Sequence, residues 1–284
     1  MTNPEAFLLA EVYQPQLYRD YIFKGKMDYL YDKVELYDTL KNIIRGHGST
    51  DNITAIQDGL ADIEHHMLHF LENHDEQRIA SPGFAGSAEK GIPMMVLSAT
   101  ISTSPTMVYF GQEVGEPAEE NPGFGAPTRT SIFDYIGVPA HQRWMNNGAF
   151  DGGQSTPEEK EIRDFYKRLL NFTLNSKALM GAYKEVHSFN RQHTEGYNDK
   201  VYSFVRFRDD EKLLIVCNFS GSDSYGFDLQ VPAAAVSAMN LNSGTYTLTD
   251  RLYGQAETTL NVQNGQGKVK IDLQPLEALI LSIE

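Results

Sequence analysis

Cysteine is almost absent from this chain: Cys217 stands alone among 284 residues, which excludes an internal disulfide framework and the cysteine-rich zinc scaffolds. It lies in an apolar run and reads as a small core residue. Long hydrophobic runs are missing too. No stretch of about 18 apolar residues occurs, so no helix is expected to cross a bilayer, and Met1-Thr2-Asn3-Pro4 has neither the basic nor the apolar region of a signal peptide. Positive charge is scarce, with 24 basic against 38 acidic side chains, a net charge of −14 and a pI near 5.0. Such a balance repels phosphate backbones and anionic lipid surfaces, so neither nucleic acid nor membrane is expected as a partner. Internal repeats and low-complexity tracts are also lacking. What is present, 41% hydrophobic and 11% aromatic content, suffices for one large domain or two smaller ones. Three Asn-x-Ser/Thr triplets, at Asn52, Asn171 and Asn218, carry no weight, since such triplets arise by chance and Asn218 falls in an expected strand.

The first part of the chain alternates short apolar runs with helical patterns, the signature of βα units and a parallel sheet. Strands are predicted at Phe7–Val12, Met27–Tyr31, Leu68–Glu72 and Met107–Phe110. A helix is predicted at Leu36–Ile44. Another begins at Asp51, with Ile53, Ile56, Leu60, Ile63 and Met67 at helical spacing and Thr50 or Asp51 as its cap. Lys90–Ile101 is a third helix with Pro93 near its start, stopped by Ser104-Pro105. The Gly-, Pro- and acid-rich stretch 111–153 is too long for a plain connection and reads as a functional loop. Thr156-Pro157-Glu158-Glu159 is a capping-box start for a helix through Ile162, Phe165 and Leu169. From about Ala182 the period changes to two, at Val201–Phe207, Leu213–Phe219, Tyr246–Leu252 and Ala278–Ile283. The expected division is therefore 1–181, an α/β unit, and 182–284, an antiparallel β-sandwich that folds independently.

Polar residues that interrupt apolar strands are the candidates for chemistry, because parallel α/β folds place their sites at the C-terminal strand ends. The first strand ends in Ala10-Glu11-Val12-Tyr13. Glu11 alone would read as a solvated strand end. The third strand runs into Glu72-Asn73-His74-Asp75-Glu76-Gln77-Arg78, an unbroken series of hydrogen-bonding or ionisable groups suited to recognising hydroxyls.

These segments resemble the α-amylase family, glycoside hydrolase family 13. AEVY at Ala10–Tyr13 matches its fifth barrel strand and FLENHDEQR at Phe70–Arg78 its seventh, with MDYLYD at Met27–Asp32 and VYFGQEVG at Val108–Gly115 in the places of strands six and eight. The resemblance implies the C-terminal half of a (β/α)8 TIM barrel followed by the β-domain, acting on α-glucans or malto-oligosaccharides. It implies Glu11 as general acid and base and Asp75 as the carboxylate that binds the sugar and stabilises the oxocarbenium-like transition state. His74, Asn73, Arg78 and Tyr13 are then the expected substrate-binding residues. A retaining glycosidase needs one carboxyl kept protonated and a second, ionised one about 5 Å away.

In the family that nucleophile is an aspartate in a Gly-x-Arg-x-Asp pattern on strand four, and the pattern occurs nowhere in these 284 residues. Asp28 and Asp32 lie on the other side of Glu11 from strand four and are not expected to substitute. The chain is thus expected to be an incomplete enzyme, inactive alone, whose partners are the other barrel half or further copies of itself joined through exposed strand edges. The alternative is a non-catalytic α-glucan-binding or amylase-like interaction protein. No cofactor and no complete metal site are implied. His65, His66 and His69 lack the glutamate placement of a zinc helix. Gln112-Glu113 reads as structural, and Trp144, Tyr135 and Phe133 either stack on sugar rings or form a small satellite cluster.

Overall fold

The computed structural model describes residues 3, 5–119, 128–130, 137–254 and 257–284, so Phe133 and Tyr135 lie outside the described residues. Four short strands, β1 (Leu9–Ala10), β2 (Tyr29–Tyr31), β3 (Met67–Phe70) and β4 (Thr106–Met107), form a parallel sheet in sequence order. The register sets Leu9 beside Tyr29, Leu30 beside Met67 and His69 beside Thr106. All four expected strands are therefore paired, but shorter than their apolar runs. Among the described residues β1 has a neighbour on one side only, and Phe7 and Leu8 stay exposed beside it. Beyond β4 the chain turns away at Gly111, whose φ of +83° suits a residue without Cβ.

A wide helical turn at Lys33–Tyr37 precedes α1 (Asp38–Ile44), and α2 (Asp51–Leu60), α3 (Gly91–Thr100), α4 (Pro139–Met145) and α5 (Pro157–Asn175) follow. The helix expected to run on to Met67 stops at Leu60, yet Ile63 and Met67 are buried with Ile56 and Leu60 in one apolar cluster. Its expected caps are otherwise engaged. The Thr50 hydroxyl donates to the Val201 carbonyl at 2.9 Å, and Asp51 accepts from His187 at 2.8 Å and Arg191 at 2.7 Å, so both residues join the two parts of the chain.

The second part holds β5 (Ala182–Glu185), α6 (His187–His193), β6 (Val201–Arg208), β7 (Glu211–Asn218), β8 (Tyr225–Val231), α7 (Ala233–Ala238), β9 (Gly244–Asp250), β10 (Glu257–Gln263), β11 (Gln266–Leu273) and β12 (Ala278–Ile283). The expected two-sheet sandwich is corrected here. The strands form one antiparallel sheet in the order β5-β6-β7-β12-β9-β10-β11-β8, hydrogen-bonded between every pair of neighbours. The sheet curls so that one face encloses Val205, Val216, Leu229, Leu248, Leu260, Val269 and Leu281 in a common core. Its other face is not free either. Tyr202, Phe204, Leu213, Ile215, Cys217 and Ile280 join a second cluster with Phe70, Met94, Leu97, Phe165 and Leu169 of the α/β part. Independent folding of the β-domain is thus at odds with a core that draws from both parts of the chain.

Candidate active site

Where β1 ends, the pleat alternates: Val12 turns into the cluster with Tyr18, Ile22 and Leu30, and Glu11 and Tyr13 turn outward. The Tyr13 hydroxyl donates to Glu11 Oε1. Partial burial and that carboxylate hold the phenol above its usual pKa.

The end of β3 is anchored from below. Glu72 is buried and accepts from Arg78 Nη1 at 2.7 Å and from the Ile79 amide at 2.7 Å, closing the loop between them. Burial raises its carboxyl above the usual range against the opposing pull of Arg78. Asn73, also buried, takes the Asp75 and Glu76 amides on Oδ1 at 2.9 and 2.8 Å, a local turn that swings His74 and Asp75 to the surface. Glu76 accepts from the Tyr37 hydroxyl at 2.9 Å and lies 3.2 Å from Lys33.

The sheet brings Glu11, His74 and Asp75 together: one ligand atom from each falls within 4.8 Å of the others. His74 Nε2 lies 3.4 Å from Asp75 Oδ2, and Arg129 Nη1 lies 3.9 Å from Asp75 Oδ1. All three are open to solvent, and among the described residues they are the group whose donors could also hold a metal ion. Tyr13 borders them through Glu11.

Two expected substrate-binding residues sit elsewhere. Arg78 is fully buried, donating to the Phe110 carbonyl at 2.8 Å and stacking on Tyr109 and Phe110, and it presents no surface to a ligand. Asn73 spends its carbonyl on the turn. Asp28 accepts the Leu8 amide and Asp32 caps the helical turn through the Leu36 amide, so neither joins the group. The histidines at 65, 66 and 69 do not converge: His69 Nδ1 faces the Ser98 carbonyl and His66 Nδ1 that of Asp28. Gln112 is held by Tyr166 and Tyr109 in a structural role. Sequence reasoning missed Arg129, which stands in an aperiodic loop where no pattern marks it.

A parallel sheet with carboxylates at its strand ends thus leads into a curled antiparallel sheet, and known proteins share this arrangement. Residues 189–284 match the family model "Alpha amylase, C-terminal all-beta domain". No curated protein matches the chain. Among solved structures, a noncanonic maltogenic α-amylase from Thermotoga neapolitana matches at 18% identity and TM-score 0.62, over 97% of this chain and 54% of its own. An α-amylase from Geobacillus thermoleovorans complexed with acarbose matches at 17% and 0.67, over 99% and 54%. AmyP in complex with maltose matches at 18% and 0.66, over 97% and 55%. The chain therefore spans about half the length of these structures, and at such identities the likeness is one of fold. The resemblance to the α-amylase family is shown, in sequence over the β-domain and in fold over nearly the whole chain.

Proposed function

We propose that this chain carries the acid–base half of an α-glucan-acting retaining glycosidase, built on strands five to eight of a (β/α)8 barrel. The nucleophile is then supplied by residues outside these 284. The observation that carries this reading is the convergence of Glu11, His74 and Asp75 at the same end of the parallel sheet, within 4.8 Å. Glu11 protonates the glycosidic oxygen and afterwards takes a proton from water, while Asp75 and His74 hold the sugar hydroxyls. Arg78 and Asn73 act from beneath, fixing the turn that presents Asp75. The open edge of β1 receives either the complementary barrel half or a second copy of the chain.

The non-catalytic glucan-binding reading is favoured by one feature: Glu11 is exposed here, whereas a general acid needs an enclosed, water-poor site. One experiment separates the two. The purified chain, given soluble starch or an activated maltoside, is expected to release no product above a Glu11→Gln control. Adding a separately produced barrel segment that carries Gly-x-Arg-x-Asp should restore turnover, with Glu11→Gln lowering it by about 10²–10⁴-fold and Asp75→Asn abolishing it. Glu11-dependent turnover by the chain alone, or restored turnover indifferent to Asp75→Asn, would overturn the reading.

A further inference from the structure

The seam between the two parts of the chain holds a buried histidine that the proposed chemistry does not use. His187, at the start of α6, has 1% of its side chain exposed, and both ring nitrogens are bonded. Nε2 lies 2.8 Å from Asp51 Oδ1 of α2, and Nδ1 lies 3.0 Å from the Tyr197 hydroxyl, which lies 2.9 Å from Ser203 Oγ on β6. Four side chains thus form one hydrogen-bonded series, from a half-exposed carboxylate on the α/β part to the interior of the β-domain.

The direction of each bond follows from the carboxylate end. Arg191 donates to Asp51 at 2.7 Å, and that guanidinium, helped by His187, holds the Asp51 carboxyl well below the usual range. An ionised carboxylate only accepts, so Nε2 carries a hydrogen. Burial holds the His187 ring below the ordinary histidine value against the opposing pull of Asp51. Near pH 7 the ring is therefore neutral, Nδ1 accepts from Tyr197, and Tyr197 accepts from Ser203. Protonating Nδ1 reverses the inner bonds: His187 donates to Tyr197 and Tyr197 to Ser203. The buried Ser203 hydroxyl is then left without an acceptor among the described residues, a cost relieved when the ring moves out to water.

The groups that face the ring are Asp51 from α2, Glu185 from β5, Arg191 further along α6, Tyr197, and Tyr202 of β6, whose ring lies 4.8 Å away. Asp51 and Glu185 favour the imidazolium, and burial and Arg191 oppose it. Neighbouring bonds across the seam end on backbone carbonyls, which do not titrate: the Thr50 hydroxyl on Val201, the Thr50 amide on Asp199 and Lys200 Nζ on Gly48.

We propose that His187 is an acid-sensitive latch. Protonation turns the Asp51–His187–Tyr197–Ser203 series round and releases α6 from α2, while the core shared by the two parts holds. A histidine with a depressed folded value contributes stability that is present in full above its unfolded value, about 6.5, and is lost as pH falls below it.

His187→Gln supplies a donor and an acceptor at the same place but no titration. Urea melts of the unaltered chain and of His187→Gln between pH 7.5 and 5 should show the ratio of their folding constants falling, by up to about tenfold per pH unit below 6.5. Hydrogen exchange over the same range should place the loss of protection in α6 and the start of α2, with α3 and α5 unchanged. A ratio that stays constant or rises on acidification would overturn the proposal, and so would a loss of protection spread evenly over the chain. If His187→Gln does not fold, imidazole 15N shifts of the unaltered chain decide. A neutral ring with its hydrogen on Nε2 at pH 7.5, protonated only below about 6.5, supports the latch, and an imidazolium at pH 7.5 overturns it.

Discussion

At the scale of single residues, the buried pair Asp32 and His69 shows how the strand ends store a cost. Both are 1% exposed in their side chains, Asp32 Oδ2 lies 3.6 Å from His69 Nε2, and neither atom has a hydrogen-bond partner among the described residues. His69 Nδ1 faces the Ser98 carbonyl, so Nε2 is the ring nitrogen turned to Asp32, and Glu64 Oε1 lies 3.8 Å from it as well. Burial pushes the Asp32 carboxyl up to about 6 from its usual value. A carboxyl whose pKa is raised on folding favours the native state below its unfolded value, near 4, and loses that contribution as pH rises through about 6. The carboxamide introduced by Asp32→Asn still accepts the Leu36 amide and carries no charge to desolvate. Asp32→Asn is therefore expected to stabilise the chain by about 1–3 kcal/mol at pH 8 and by little at pH 4. Denaturant melts at the two pH values check this, and an equal or opposite effect at pH 8 would contradict it. Glu11, His74 and Asp75 were singled out by the resemblance of their segments to the α-amylase family, since Glu11 alone reads as a solvated strand end. The roles of Arg78 and Asn73 were not legible. A sequence shows that a polar residue is present, and burial alone decides whether it meets a ligand or holds a loop.

At the scale of elements, what could be read was whatever rests on neighbours in sequence. The start of α5 is such a case: Thr156 Oγ1 accepts the Glu159 amide at 3.3 Å, and Glu159 Oε2 accepts the Thr156 amide at 3.0 Å. Pro157 occupies the first helical position, as expected. Glu159 also takes the Arg143 guanidinium, so the cap ties α5 to α4. Thr156→Ala should cost about 1 kcal/mol, and Thr156→Ser should recover most of it. Thermal melts of the two variants test that order, and an unchanged midpoint for Thr156→Ala would remove the cap from the account. The caps expected for α2 went the other way because their partners, Val201, His187 and Arg191, lie more than a hundred residues on. The same limit explains the sandwich. Period-two alternation marks strands and their inner face, but the continuity of β12 with both β7 and β9 depends on pairing that no local pattern encodes.

At the scale of the whole molecule, the two parts share what neither could leave uncovered. On the outer face of the curled sheet, Tyr202, Phe204, Leu213, Ile215 and Ile280 are wholly buried against α3, α5 and the parallel sheet. At roughly 1.5–3 kcal/mol for each large side chain, their exposure would cost on the order of 10 kcal/mol, comparable with the whole stability of an ordinary domain. A polar group makes the same demand. Arg206, 1% exposed on β6, donates to the carbonyls of Thr100, Leu179 and Gly181, all of which precede residue 182. Burial pushes its guanidinium down to about 10, and without those carbonyls it must return to water. Residues 182–284 alone should therefore associate or stay loosely packed, while the full chain melts in one cooperative step. Cys217 gives a direct readout, since it is the only thiol and is fully buried in the shared cluster. A thiol reagent should leave Cys217 unmodified in the native full chain and label it readily in the isolated segment. A monomeric 182–284 with protected Cys217 and a melting midpoint within a few degrees of the full chain would show that the β-domain stands without the core it shares.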